Sequence, residues 1–169
     1  SGRRFGKTFL AINELARFAR YPKKKVWYVA PSYRMAKNIV WSDLIDRLYK
    51  HKWVDKVNHA DLTVHLKNSS TISLRGADNE QSLRGVGLDF LVLDEFADIR
   101  DTAWTEVLRP TLSDRGGHCL FTGTPRGYGN WSYNLFLKAE TDKEWDSFKY
   151  TTLEGGQVSA NEIEQARYD

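Results

Sequence analysis

The residues with the plainest chemistry stand at the head of the chain, Ser1-Gly2-Arg3-Arg4-Phe5-Gly6-Lys7-Thr8. From Gly6 the segment reads Gly-Lys-Thr and runs directly into an apolar pattern of helical period, as the end of a phosphate-binding loop does. Backbone N–H groups of such a loop, backed by the positive end of a helix, form a nest for phosphate oxygens. Lys7 then reaches the β- and γ-phosphates, and the Thr8 hydroxyl ligates Mg²⁺. Gly2, Arg3, Arg4, Gly6, Lys7, Thr8 and Phe9 are the candidate nucleotide-binding residues. One position departs from the pattern: Ser1 stands where the loop usually opens with glycine, and serine is less free at positive φ. Taken alone, the segment also reads as a chance loop with a surface lysine.

A second group lies about ninety residues downstream, where Phe90-Leu91-Val92-Leu93-Asp94-Glu95 reads as a buried strand ending in two carboxylates. At the carboxyl end of a parallel strand both project into the crevice where α/β folds bind ligands. ATP hydrolysis needs two acids with different tasks. Asp94 is assigned to Mg²⁺ and its water shell, and Glu95 to polarising the attacking water. The alternative, an acidic pair capping a helix, loses ground once the Gly-Lys-Thr loop is considered with it. Thr122-Gly123-Thr124 ends the next expected strand, where short hydroxyls reach a γ-phosphate or the lytic water; an ordinary strand-to-loop turn is the other reading. Arginines come third, since a guanidinium inserted against the transferring phosphate is worth ~10³–10⁵ in rate. Arg3 and Arg4 sit inside the loop. Arg84, in a glycine-flanked segment before the acidic strand, reads equally as a catalytic group or as a surface ion pair.

These residues need elements to hold them. Leu10, Ala11, Leu15, Phe18 and Ala19 recur at helical spacing up to about Arg20. Tyr21-Pro22 ends that helix and Lys23-Lys24-Lys25 forms a charged turn, read as solvated rather than as a DNA contact. Val26 to Ala30 is a buried parallel strand, and a second helix runs from about Tyr33 to Tyr49 on the core face Ala36, Ile39, Val40, Leu44 and Leu48. Residues 62–66 and 71–74 alternate as a hairpin. His59 and His65 lie there without cysteine or acid at metal-ligand spacing, and are read as ordinary histidines. A strand over His118–Thr122, a helix around Trp131–Ala139 and a strand around Phe148–Thr151 follow. A capping-box signature at Ser159-Ala160-Asn161-Glu162 opens a last helix. The rhythm of strand, helix and strand implies an α/β fold with a mainly parallel sheet flanked by helices. A phosphate loop also needs a strand before it, which is expected upstream of Ser1 in a longer protein.

Composition bounds the rest. The chain has 169 residues, 41% hydrophobic and 28% charged, enough for one domain with a proper core. Its net charge of +3 permits a nucleic-acid partner without demanding one. The single cysteine, Cys119, rules out an internal disulfide and fits a reducing compartment. No signal peptide or spanning apolar run is present, so no membrane partner is expected. The six tryptophans, Trp27, Trp41, Trp53, Trp104, Trp131 and Trp145, are read as packing residues rather than a stacking platform.

Four segments in order carry a resemblance. These are Ser1 to Thr8; Val29-Ala30-Pro31-Ser32-Tyr33-Arg34-Met35-Ala36-Lys37; Ser82-Leu83-Arg84-Gly85 before Phe90 to Asp98; and Thr122-Gly123-Thr124-Pro125-Arg126-Gly127. Together they resemble the large terminase subunit of tailed bacteriophages over nearly the whole chain. The resemblance implies a P-loop NTPase of the additional-strand, catalytic-glutamate type over residues 1–155, with 156–169 beginning a linker toward a nuclease domain. It implies ATP and Mg²⁺ as cofactors, double-stranded DNA as the cargo, and a homo-oligomeric ring, usually a pentamer, on the portal of a procapsid. A small terminase subunit is a further implied partner, and the host cytoplasm the implied location. By position, Lys7 and Thr8 match the phosphate and Mg²⁺ residues, Asp94 the metal carboxylate, Glu95 the catalytic one, and Thr122-Gly123-Thr124 the coupling motif. Arg3 matches the loop arginine, and Arg84 a proposed arginine finger. A helicase-like DNA translocase and a nucleotide-binding assembly module without turnover are the rival readings.

Overall fold

A computed structural model describes residues 6–150. Helix α1 (Lys7–Ala19) starts at Gly6, whose φ of 85° is left-handed and suits a residue without Cβ. Ala11, Ile12, Leu15 and Ala19 form its buried stripe. Strand β1 (Lys25–Ala30) follows, buried from Val26 onward because strands flank it on both sides. Ser32 caps α2 (Tyr33–Ala36), its hydroxyl accepting the Met35 N–H at 3.2 Å. The helix continues through a π-turn at Lys37–Trp41 into α3 (Ser42–Lys50). The expected second helix is thus one continuous path with a bulge in the middle.

The six-stranded sheet has the order β2-β3-β4-β1-β5-β6. Here β2 is Val54–Asn58, β3 Thr63–Leu66, β4 Thr71–Gly76, β5 Phe90–Asp94 and β6 His118–Thr122. Strand β1 pairs in parallel with β4 and β5, and β5 with β6; β2, β3 and β4 form an antiparallel flank. The expected mainly parallel α/β sheet is present. One core fills the face under α1, α2 and α3, with Tyr28, Leu15, Leu44, Ile72 and Val92 at its centre. The other holds Val29, Leu91 and Leu93 under a π-helical segment (Ala103–Leu108) that runs into α4 (Arg109–Ser113). Helix α5 (Trp131–Thr141) starts on that second face, with Asn130 as its cap. Trp27, Trp41 and Trp104 are buried, and Trp53, Trp131 and Trp145 pack against the cores.

Several expectations need correction. Strand β2 and the helical segment from Ala103 to Ser113 have no counterpart in the sequence reading. Residues 148–150 lie outside any strand, and Phe148 is 72% exposed. Among the described residues they pair with no strand, and propensity alone does not make one. Thr151 and the helix expected after Ser159 fall outside the described residues. Among the described residues no helix is long and apolar enough to cross a membrane.

Candidate active site

Four sequence-distant segments meet at the carboxyl ends of β5 and β6. Register explains how. Asp94 is the direct partner of Thr122 on β6, and Tyr28 on β1 pairs with Val92. Side chains two apart on a strand share a face, so Asp94 points the way of Val92 and Tyr28, toward α1. The Thr122 hydroxyl donates to Asp94 Oδ1 at 2.5 Å and the Tyr28 hydroxyl to Oδ2 at 2.5 Å. The Glu95 N–H adds a third bond, to Oδ1 at 3.0 Å. Burial and the neighbouring Asp94 carboxylate push the Tyr28 hydroxyl well above its ordinary ionisation range, so it stays a donor.

Glu95 leaves the strand in a left-handed conformation, φ 46° and ψ 42°, which costs a non-glycine residue roughly 1–2 kcal/mol. The short 3₁₀ turn Phe96–Asp98 holds it there, with the Asp98 N–H on the Glu95 carbonyl at 2.9 Å. The turn aims the Glu95 carboxylate at Lys7: Nζ lies 3.4 Å from Oε1. Lys7 Nζ also donates to Thr124 Oγ1 at 3.1 Å, and the Thr124 N–H points to Glu95 Oε2 at 3.4 Å. Both partners of the ion pair are largely covered, with side chains 15% and 26% exposed.

The Thr-Gly-Thr spelling follows from the same alternation. Thr122 and Thr124 serve the α1 side, while Gly123 between them backs onto Phe96, where a Cβ would come within 3.2 Å of the ring. Phe96 in turn packs edge-on against Phe121 and Trp131. The loop after β6 is fastened to the turn after β5 by Asn130 Nδ2 on the Ala97 carbonyl at 2.9 Å and Trp131 Nε1 on the Ile99 carbonyl at 2.7 Å. Arg126 adds a two-pronged pair with Asp98 at 2.9 and 2.7 Å.

Beside the start of α1 a cleft of about 770 Å³ opens, lined by Gly6, Lys7, Thr8, Phe9 and, across it, Asp46 and Arg47. Phe9 is 61% exposed, and the Arg47 guanidinium lies 4.6 Å from its ring centroid. Compared with known proteins, residues 1–167 match the family described as terminase large subunit, T4likevirus-type, N-terminal. The chain belongs to the phage large terminase family.

This large terminase chain is 34% identical over 170 residues to the large terminase subunit of Escherichia phage T5, covering 98% of this chain and 38% of that protein. It spans about a third of the length of the curated relatives it matches. A mutant of the Thermus phage P74-26 large terminase ATPase domain shares the fold with a TM-score of 0.83. That match covers 99% of this chain and 80% of the other at 25% identity. The large terminase of a thermophilic bacteriophage, solved in complex with ADP, gives a TM-score of 0.81 over 99% of this chain and 43% of that one. At 18% identity that likeness is one of fold. The described residues therefore carry a large terminase ATPase fold, which sets the helicase-like alternative behind.

Within this terminase the expected site residues divide. Lys7, Glu95 and Thr124 are in mutual contact, and Asp94 with Thr122 lies directly behind them. Thr8 follows Lys7 in the first turn of α1. Gly2, Arg3 and Arg4 lie outside the described residues. Arg84 follows a 3₁₀ turn (Glu80–Leu83), its backbone N–H on the Gln81 carbonyl, and its exposed side chain makes no hydrogen bond or ion pair with another described residue. Lys24 pairs with Asp89 at 3.2 Å, at the opposite end of the sheet, a tie absent from the solvated reading of the lysine turn. His59 accepts the Trp41 indole N–H at 3.3 Å. Tyr28 is the residue that sequence reasoning passed over. It sits in a uniformly apolar strand, and only the register shows its hydroxyl against Asp94.

Proposed function

We propose that this domain hydrolyses ATP with Mg²⁺ and, in its parent protein, drives double-stranded DNA into a procapsid. The observation that carries the reading is the contact of Lys7, Glu95 and Thr124 in front of a buried Asp94. ATP enters over the start of α1 with its phosphates on the Gly6-Lys7-Thr8 backbone. Gly2, Arg3 and Arg4 complete the phosphate cradle, and Phe9 borders the cleft beside it. A γ-phosphate arriving between Lys7 and Glu95 competes for the Lys7 ammonium. Releasing Glu95 from that ion pair frees its carboxylate to orient and deprotonate a water. Thr124, bonded to both partners, is placed to register whether the phosphate is there.

The donor set fits magnesium. The Asp94 carboxylate and the Thr8 hydroxyl are hard oxygen ligands, and among the described residues no cluster of three or more His, Cys, Asp or Glu offers an all-protein cage. Mg²⁺ is ordinarily held by one or two carboxylates plus substrate phosphates. Held by Asp94 and Thr8, the ion would neutralise phosphate charge. Arg3 from the loop, and Arg84 from a neighbouring subunit of a ring, supply the remaining positive charge. Arg84 has an exposed side chain that makes no hydrogen bond or ion pair among the described residues, which suits a group acting on a neighbour. A homo-oligomeric ring on the portal, a small terminase partner, the host cytoplasm as location and a nuclease domain elsewhere in the parent protein belong to the same reading.

ATP turnover per subunit, followed across protein concentration for the full-length protein, tests it. Wild type is compared with Glu95→Gln and Arg84→Ala. Turnover that rises with concentration and is lost in both variants is the expected result. Flat turnover with a harmless Arg84→Ala removes the finger, and an active Glu95→Gln removes the catalytic assignment.

A further inference from the structure

We propose that Tyr28 is a positioning residue for the metal carboxylate: with Thr122 it clamps Asp94 from the two neighbouring strands and leaves it one direction in which to meet a cation's shell. The proposal rests on the hydrolase reading above and adds a residue to it. A carboxylate has about four lone-pair sites. Asp94 Oδ1 accepts from the Thr122 hydroxyl at 2.5 Å and the Glu95 N–H at 3.0 Å, which uses both of its sites. Oδ2 accepts from the Tyr28 hydroxyl at 2.5 Å, and among the described residues one site on that oxygen remains. Bonds of this length from hydroxyl to carboxylate are among the strong ones. They also differ in what anchors them. Tyr28 is fully buried in the core beneath α1, so packing fixes where its hydroxyl stands. Thr122 is fixed by its ladder position beside Asp94. Both clamping donors are neutral, and no ion pair among the described residues reaches Asp94. The carboxylate is therefore locked in one rotamer with its charge intact, as a ligand must be when a metal and its waters have to dock without reorganisation.

The test uses the full-length protein and its Tyr28→Phe variant, which keeps the ring and removes the donor. Mn²⁺ binding to the protein–ADP complex is followed by electron paramagnetic resonance, and the affinity of a fluorescent ADP is measured separately without metal. Tyr28→Phe is expected to raise the Mn²⁺ concentration for half-saturation about tenfold or more, with metal-free ADP affinity held within about twofold. Thr122→Val, nearly isosteric, is expected to move Mn²⁺ binding the same way, and it carries the test if Tyr28→Phe does not fold. Folded variants with unchanged Mn²⁺ binding overturn the clamp. So does a loss of metal-free ADP affinity in step with that of Mn²⁺, which marks a general disturbance of the site. If wild type binds ADP but takes up no Mn²⁺, the metal reading itself fails, a result distinct from a wild type that binds Mn²⁺ beside indifferent variants.

Discussion

Strand β5 carries a buried aspartate at each end, and the two are satisfied in opposite ways. Asp89, just before the strand, is 9% exposed and faces two cations, Lys24 at 3.2 Å and Arg115 at 3.5 Å, besides the Lys25 N–H at 2.8 Å. Asp94, at the far end, is 5% exposed and among the described residues accepts from two hydroxyls and a backbone N–H. A buried carboxylate is costly unless its charge is answered. At Asp89 the protein answers it and the group is spent on architecture, tying the lysine turn to the loop before β6. At Asp94 neutral donors hold the carboxylate, one site on Oδ2 remains, and no ion pair among the described residues answers the charge. Under the proposed metal role of Asp94, the difference separates an end of the sheet tied up by cations from one that receives one. It also agrees with the general placement of ligand sites at the carboxyl ends of parallel strands.

The comparison breaks most sharply at the residue next to Asp94. Glu95→Gln keeps the size of the side chain and part of its hydrogen bonding to Thr124, so the fold is expected to hold. Under the hydrolase reading, kcat falls by about 10²–10⁴-fold, the range for losing a general base. Single-turnover kinetics with an unchanged melting temperature check both halves. Substituting Asp89 does the converse. Asp89→Ala leaves Lys24, Arg115 and the Lys25 N–H facing a gap. Because both cations are partly exposed, we expect a loss of about 2–3 kcal/mol rather than the full cost of breaking a buried pair. Denaturant unfolding measures it. Nucleotide affinity is expected to stay where it is, since Asp89 lies at the other end of the sheet. A fall in nucleotide affinity would undo the division of labour between the two ends.

Much of the candidate site was legible because its signals are local. Gly6-Lys7-Thr8 before a helical period, and an apolar strand ending in Asp94-Glu95, point to their proposed roles within a few residues. Thr122 and Thr124 were legible as hydroxyls at a strand end, but not their separate attachments, which depend on which strand lies beside which. Tyr28 was hidden for a similar reason. Within Val26 to Ala30 an aromatic reads as core, and its hydroxyl acquires meaning only from the pairing of β1 with β5. Strand β2 escaped because Val54-Asp55-Lys56-Val57-Asn58 buries little besides Val54 and so lacks a clear alternation. Phe148 and Tyr150 point the other way, being strand-like residue types in a stretch that is not in a strand. The register of the sheet, a long-range property, is what no single segment contains.

A smaller effect is expected where the two ends of the site are joined. Gly123→Ala places a methyl 3.2 Å from the Phe96 ring, which is itself wedged against Phe121 and Trp131 and has little room to retreat. Overpacking of this kind costs about 1 kcal/mol at its lower end. Because Phe96 directly follows Glu95, the strain reaches the turn that carries the proposed catalytic carboxylate. Turnover is therefore expected to fall more than stability does, and thermal melts run beside steady-state assays separate the two.

The least effect is expected from Arg126→Ala, although its pair with Asp98 has the best geometry of any ion pair in the region. Both side chains are exposed, at 55% and 38%, and an exposed pair is screened by water and salt and gives back in side-chain entropy much of what it gains. The join between the turn after β5 and the loop after β6 is also made twice over in drier surroundings, by Asn130 on Ala97 and Trp131 on Ile99. Removing Arg126 should leave the melting temperature within the scatter of replicates and turnover unchanged. A marked fall in turnover with an unchanged melt would mean that Asp98 must be held for Glu95 to keep its left-handed turn. The boundary of the site would then move outward, from the residues that touch phosphate to those that hold the backbone carrying them.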